Sequence, residues 1–270
     1  MTVAITNNTT ISAGTGNISI DGQSNNKSVQ AVNITGSTLN ASSIMLNGTA
    51  LADTAGVKVN NSTLNASQNI TMTANSAYRG VLLQGANISA NSINIAAEGR
   101  TANAAVLIEA NTSITGTNDI RLEGSRVEVR NANITAGNFS VNATTRGFEI
   151  SNATVNATDN ITLTATTTGS DASGVYLKDA NLSSTNGSII GTGTATAGSV
   201  AVHLDNNVTL NASQGDITLT GSSDTGSGVV IRNATLNASI GDIALNGAVN
   251  STYVATGDYQ RYGGGGRFDW

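Results

Sequence analysis

Apolar residues return along the chain in a fixed order, and one serves as an anchor: Ile11, Leu39, Leu64, Ile88, Ile114, Ile134, Val155, Leu182, Leu210 and Leu236, spaced by 20 to 28 residues. Three positions before each anchor stand Asn8, Gly36, Asn61, Gly85, Asn111, Asn131, Asn152, Asp179, Asn207 and Asn233. Gly, Asn and Asp are the residues that best tolerate a left-handed backbone, so this column predicts one sharp corner per repeat. Two positions after each anchor only Ala, Gly or Ser occurs, as at Ala41, Gly116 and Ser184, which predicts a second tight corner. Alternating apolar pairs precede the first corner (Val57/Val59, Val127/Val129, Val175/Leu177) and follow the second (Ile70/Met72, Ile120/Leu122, Ile217/Leu219). Period-two alternation marks half-buried strands, three short ones per repeat, and no helical period of useful length competes.

A repeat of this length cannot bury its own apolar face, so neighbouring copies must supply the core. The pattern therefore predicts an all-β solenoid: a parallel β-helix of about ten coils over residues 1–250. Right-handed winding is expected from the general preference of parallel crossovers. Coil length varies mainly between the third strand and the next first strand. That connection is short at 123–126 and 142–147, and long at 21–31, 164–174 and 191–201. Insertions gathered on one edge are where such folds place specificity. Residues 251–270 break the pattern with Tyr253, Tyr259, Tyr262, Phe268 and Trp270 around a glycine run, as expected of a cap, a linker or the start of a following segment.

Composition narrows the function classes. Charged residues are 11% and aromatic residues 3% of the chain, and proline and cysteine are absent. Absence of cysteine excludes a disulfide scaffold and thiolate metal sites, and it suits export through a narrow pore. Absence of proline suits strands paired on both sides. A net charge of −5 argues against nucleic-acid binding, and no apolar run is long enough to insert in a membrane. The N-terminus shows no signal peptide, so a secreted parent would contain residues 1–270 as a mature or excised segment.

The segments 156–165 (NATDNITLTA) and 211–220 (NASQGDITLT) carry a family resemblance. They resemble the repeats of filamentous-haemagglutinin-like exoproteins, above all the high-molecular-weight adhesins of the two-partner secretion pathway. The resemblance covers residues 1 to about 250, and the family's amino-terminal secretion domain is not recognisable. It implies a non-catalytic shaft segment on the bacterial surface or outside the cell, exported by a dedicated outer-membrane transporter. It also implies attachment to a host-cell glycan or protein receptor, or to other bacteria. No cofactor is expected.

The commonest short motif is the glycan-acceptor sequon, present at 26 of 35 Asn residues. Corner chemistry and exposed strand Ser/Thr generate many of these for structural reasons, as at Asn61, Asn152 and Asn233. Asn40, Asn65, Asn156, Asn211 and Asn237, just after the anchor, and Asn87, Asn133 and Asn181, just before it, should instead point outward as candidate acceptors. The middle coils collect Arg100, Arg121, Arg126, Arg130 and Arg146 with Glu128 and Glu149. Complementary surface ladders are the simplest reading of these charges, and a contact face is the functional one. A β-helix enzyme acting on an acidic polysaccharide is the rival class, but the aspartates are scattered and no calcium-binding repeat is present. A toxin-delivery shaft of the same secretion family is a third reading.

Three further features complete the candidates. His203 is expected on the surface, in an outward column. In that same column Leu82 and Leu107 form either an apolar contact patch or the floor beneath the loop at 96–105. The threonine content raises an ice-binding reading, but the middle outward column of the third strands mixes Met45, Arg121 and Ile190 with its Thr residues.

Overall fold

A computed structural model of the 270-residue chain describes residues 1–51, 54–99, 103–169 and 172–249. Its 26 strands all belong to one sheet, wound on itself by parallel pairing of each coil with the next. Three ladders result, each of ten stacked segments spanning about nine turns. The first face runs from Val3–Ile5 through Val127–Arg130 to the start of Val229–Ala238. The second carries the anchors and runs from Thr10–Ser12 through Ala132–Ala136. The third runs from Ile18–Ser24 to Ile243–Val249. At the usual strand separation the stack is about 43 Å long.

Register is set by the inward columns, because a one-residue slip would turn each apolar set outward. Val106 pairs with Val127, Val127 with Phe148 and Phe148 with Val175 on the first face. Ile120, Phe139, Ile161 and Ile189 follow one another on the third. These columns meet in one continuous buried cluster running the length of the solenoid. Phe139 and Phe148, the largest side chains in it, are 0% and 2% exposed.

The first corner turns through the left-handed region in every coil. All ten residues of the predicted Asn/Gly/Asp column have positive φ, from 44° at Asn61 to 62° at Asn111. The corner does not interrupt the ladder. The N–H of Asn131 donates to the Ser151 carbonyl at 3.0 Å, and that of Asn111 to Asn131 at 2.7 Å. Three coils place one extra residue between the first strand and the anchor, and these carry consecutive left-handed residues: Asn7–Asn8, Ala110–Asn111 and Asn206–Asn207. A second left-handed step absorbs the insertion, with a register shift after Asp205 in the last case.

At the second corner the small residues point inward and are buried, as at Ala136 (2% exposed) and Ala212 (0%). A Cβ on Gly116 would press on the Ile120 side chain at 2.7 Å, so the next strand's first apolar residue enforces the small size. Beside this corner a side-chain ladder runs from coil to coil. The Asn138 Oδ1 accepts the Asn160 N–H (3.1 Å), Asn160 Oδ1 the Ser188 N–H (3.0 Å) and Ser188 Oγ the Asp216 N–H (3.0 Å). Asp216 Oδ1 in turn accepts the Asp242 N–H at 2.8 Å.

A third corner, where the variable connections leave and return, has its own column. Gly22, Gly48, Ala74, Ala97, Gly124, Ala143, Ala165, Gly193, Gly221 and Gly247 pair in succession on the third face. Here the outgoing strand touches the backbone of the incoming one. A Cβ on Gly22, Gly48, Gly193 or Gly221 would fall on the carbonyl oxygen of Ala31, Gly56, Ala201 or Gly228 respectively. The connections are thus excursions pinched at their base, and buried hydroxyls close several of them. Ser76 Oγ donates to the Thr54 carbonyl at 2.6 Å, and Ser223 Oγ to that of Ser199 at 2.8 Å. Residues 251–270, the expected cap or linker, lie outside the described residues.

Candidate functional site

The charged residues of the middle coils divide between two faces instead of forming one. Arg121 lies on the third face, where it is ion-paired with Glu123, its neighbour two positions on; that contact holds its guanidinium above the ordinary arginine range. Arg126, Glu128, Arg130 and Glu149 sit on the first face, in adjacent coils whose register sets Glu128 beside Glu149. Arg126 Nε meets Glu128 Oε1 at 2.6 Å, and Arg130 reaches Glu128 Oε2 at 2.9 Å and Glu149 Oε2 at 3.3 Å. Ser151 Oγ donates to Glu149 Oε1 at 3.1 Å. Arg146 is in the third-corner connection, bridged to Thr167, and Arg100 lies outside the described residues.

Glu128 is the buried member of this cluster, 5% exposed. Desolvation raises its pKa above the ordinary glutamate value, outweighing the opposing pull of Arg126 and Arg130. Its two oxygens are each held by an arginine, so the group is a charge-paired strut and not a free surface contact. Beyond it in the same outward column, Leu107 (2% exposed) and Leu82 (8%) are packed under Ala55 and Ala104. The excursion that carries Ala104 covers them, so the two leucines are a floor for the loop and not an open contact patch.

His203 is not the freely exposed histidine expected from its outward position; it is half-buried. The register places Tyr176 one coil below it, and the two rings lie 5.1 Å apart at 34°. Burial lowers the His203 pKa, against the opposing effect of Asp205. Tyr176 O–H donates to Asp205 Oδ2 at 3.4 Å, and burial together with that carboxylate raises the phenol. Large side chains in successive coils screen one another even in an outward column, which pairwise alternation does not reveal.

The second face presents a different surface. Its outward column before the anchor reads Thr10, Thr38, Thr63, Asn87, Ser113, Asn133, Thr154, Asn181, Thr209 and Thr235. The column after it reads Ser12, Asn40, Asn65, Ser89, Thr115, Thr135, Asn156, Ser183, Asn211 and Asn237. Every position is Ser, Thr or Asn. The sequence carries this signal one residue either side of the anchor, away from the third strands whose mixed column argues against a Thr array. All eight candidate acceptors fall in these columns, and all are solvent-accessible. Some bridge coils: Asn65 Nδ2 donates to Asn40 Oδ1 at 3.1 Å, and Asn237 Nδ2 to Asn211 Oδ1 at 2.9 Å.

Among the described residues no three His, Asp or Glu side chains gather in a metal-binding group. Fold and surfaces together define the class as an all-β, parallel β-helical repeat protein with one uncharged polar face and two faces of mixed chemistry. Compared with known proteins, the chain matches no family model and no curated sequence.

Proposed function

We propose that this chain is a non-catalytic, extracellular shaft segment of a secreted bacterial surface adhesin, one that spans distance and displays surface for host-cell or intercellular attachment. The supporting observation is the continuous parallel ladder of about nine turns, with the long excursions gathered at one corner. Such a body adds length without enclosing a substrate, and it leaves whole faces open along its axis. The resemblance of the segments at 156–165 and 211–220 to two-partner exoproteins supplies the proposed export route, through an outer-membrane transporter. Right-handed winding belongs to the same proposal. The pairing of Glu128 with two arginines also supports a structural role for the carboxylates, since a catalytic base needs a proton acceptor free to meet substrate.

Beads coated with the purified chain and presented to cultured epithelial cells test the reading. Attachment several-fold above beads coated with albumin is expected. Attachment at the albumin level, accompanied by cleavage of an acidic polysaccharide such as polygalacturonate or alginate, would replace it with the enzymatic reading.

A further inference from the structure

The three faces share one backbone geometry, yet they accept different side chains. Outward positions on the first face include Lys58, Leu82, Glu149, Tyr176 and His203, and on the third Met45, Arg121 and Ile190. Strand propensity and solubility therefore permit charged, aliphatic and aromatic residues on this solenoid. The second face admits none of them at any of its outward positions, so the physics of the strand does not account for its uniformity.

Its chemistry is equally specific. A hydroxyl or a carboxamide both donates and accepts hydrogen bonds. The column from Thr10 to Thr235 makes no side-chain hydrogen bond among the described residues, unlike the Asn–Asn and Asn–backbone ladders beside it. The first corner takes one or two left-handed residues and the second at most four residues between the small corner residue and the next strand's first inward side chain, while the long connections all leave from the third. The result is an unobstructed lane in which hydroxyls and carboxamides repeat every ~4.8 Å along the axis, in two columns ~7 Å apart.

We propose that this second face is a binding lane for an extended, uncharged polysaccharide lying along the solenoid axis. Electrostatic matching selects the ligand, because a lane with no charged side chain offers no positive charge to compensate an anionic glycan, a nucleic acid or an acidic membrane. A protein partner needs an apolar or aromatic centre to its interface, and so does a second copy of this chain; the lane supplies neither. A neutral polysaccharide carries dense hydroxyls that pair with hydroxyls and amides. It is also a linear polymer whose many weak contacts accumulate over successive coils. The lane thereby gives the attachment reading its ligand class, and it rests on that reading.

Retention of the purified chain on amorphous cellulose, chitin and particulate β-1,3-glucan, with alginate beads as the charged control, tests the lane. Binding to at least one neutral polymer and none to alginate is expected. The pair Ser113→Glu and Thr154→Glu should lower the retained fraction at least tenfold. Thr71→Glu and Thr162→Glu, on the third face, should leave it unchanged. Thermal melts of both variants establish that each is folded. No retention on any neutral polymer, equal loss in both variants, or ice-crystal faceting without glycan retention would each overturn the lane. Cell attachment of the coated beads that survives Ser113→Glu and Thr154→Glu would overturn the lane while leaving the adhesive reading standing.

Discussion

A left-handed residue costs most when it carries a Cβ and has no short polar side chain to stabilise the turn. Asn131 and Asn152 hold φ at 46° and 48° in single-residue corners, where a β-branched residue fits worst. Asn131→Val and Asn152→Val should each destabilise the chain by ~1–2 kcal/mol in chemical denaturation. Ala110 is the only non-Gly residue outside the Asn/Asp set that adopts positive φ among the described residues, at 58°. Ala110→Gly should therefore stabilise by about 0.5–1 kcal/mol, read as a higher denaturation midpoint. His203 gives a pH dependence. Its folded pKa is depressed below 6.5 by burial, so the neutral ring carries no penalty above that pH. As pH falls through 6.5, the unfolded chain takes up the proton first and stability declines until the folded ring also titrates. Stability of wild type relative to His203→Phe should therefore drop between about pH 7 and 5, and a flat difference would contradict the burial.

Elements follow from the columns, and the columns are legible to different degrees. The first corner can be read directly, because Asn, Gly and Asp at a constant offset point to little besides a left-handed turn. The insertion at Ala110, Asn7 and Asn206 is visible only as a spacing of six, not five, from the last inward residue of the first strand (Ile108, Ile5 and Leu204) to the anchor, and the sequence does not say that a second left-handed residue absorbs it. The third corner is readable in principle, four residues after Ile44, Ile120 or Ile217. Drifting loop lengths hide it, because the connections that leave that corner differ in length and composition while only the stems keep a constant offset. Burial of Glu128 and His203 is not legible, since outward alternation predicts exposure and the cover comes from neighbouring coils and excursions. The pinched stems carry a direct test. A side chain on Gly193 meets the Ala201 carbonyl, whereas a Cβ on Gly169 meets nothing within 4 Å. Gly193→Val should cost ~1–3 kcal/mol or more through forced backbone shifts. Gly169→Ala should stay within about 0.5 kcal/mol of wild type.

Over the whole molecule, stability is a sum of coil and interface terms, because each coil touches only its neighbours. Asn131 and Asn152 occupy the same corner in successive coils, so deleting residues 132–152 removes one complete turn and rejoins equivalent positions. Ile114 would then stack on Val155 and Ile120 on Ile161, both conservative aliphatic contacts. Arg126 and Arg130 would lose Glu149 but keep Glu128, and Leu122 would meet Leu163 where Val141 had intervened. The shortened chain should fold with all three faces intact and a rod length reduced by ~4.8 Å in small-angle scattering. Its denaturant slope should fall by roughly a tenth, in proportion to the surface buried by one coil of about ten. Cooperative folding at reduced length would mean that the columns, and not any one coil, specify the fold. Collapse of the chain on removing this turn would instead identify the Arg126–Glu149 cluster or Phe139 and Phe148 as a nucleus the remaining coils cannot replace.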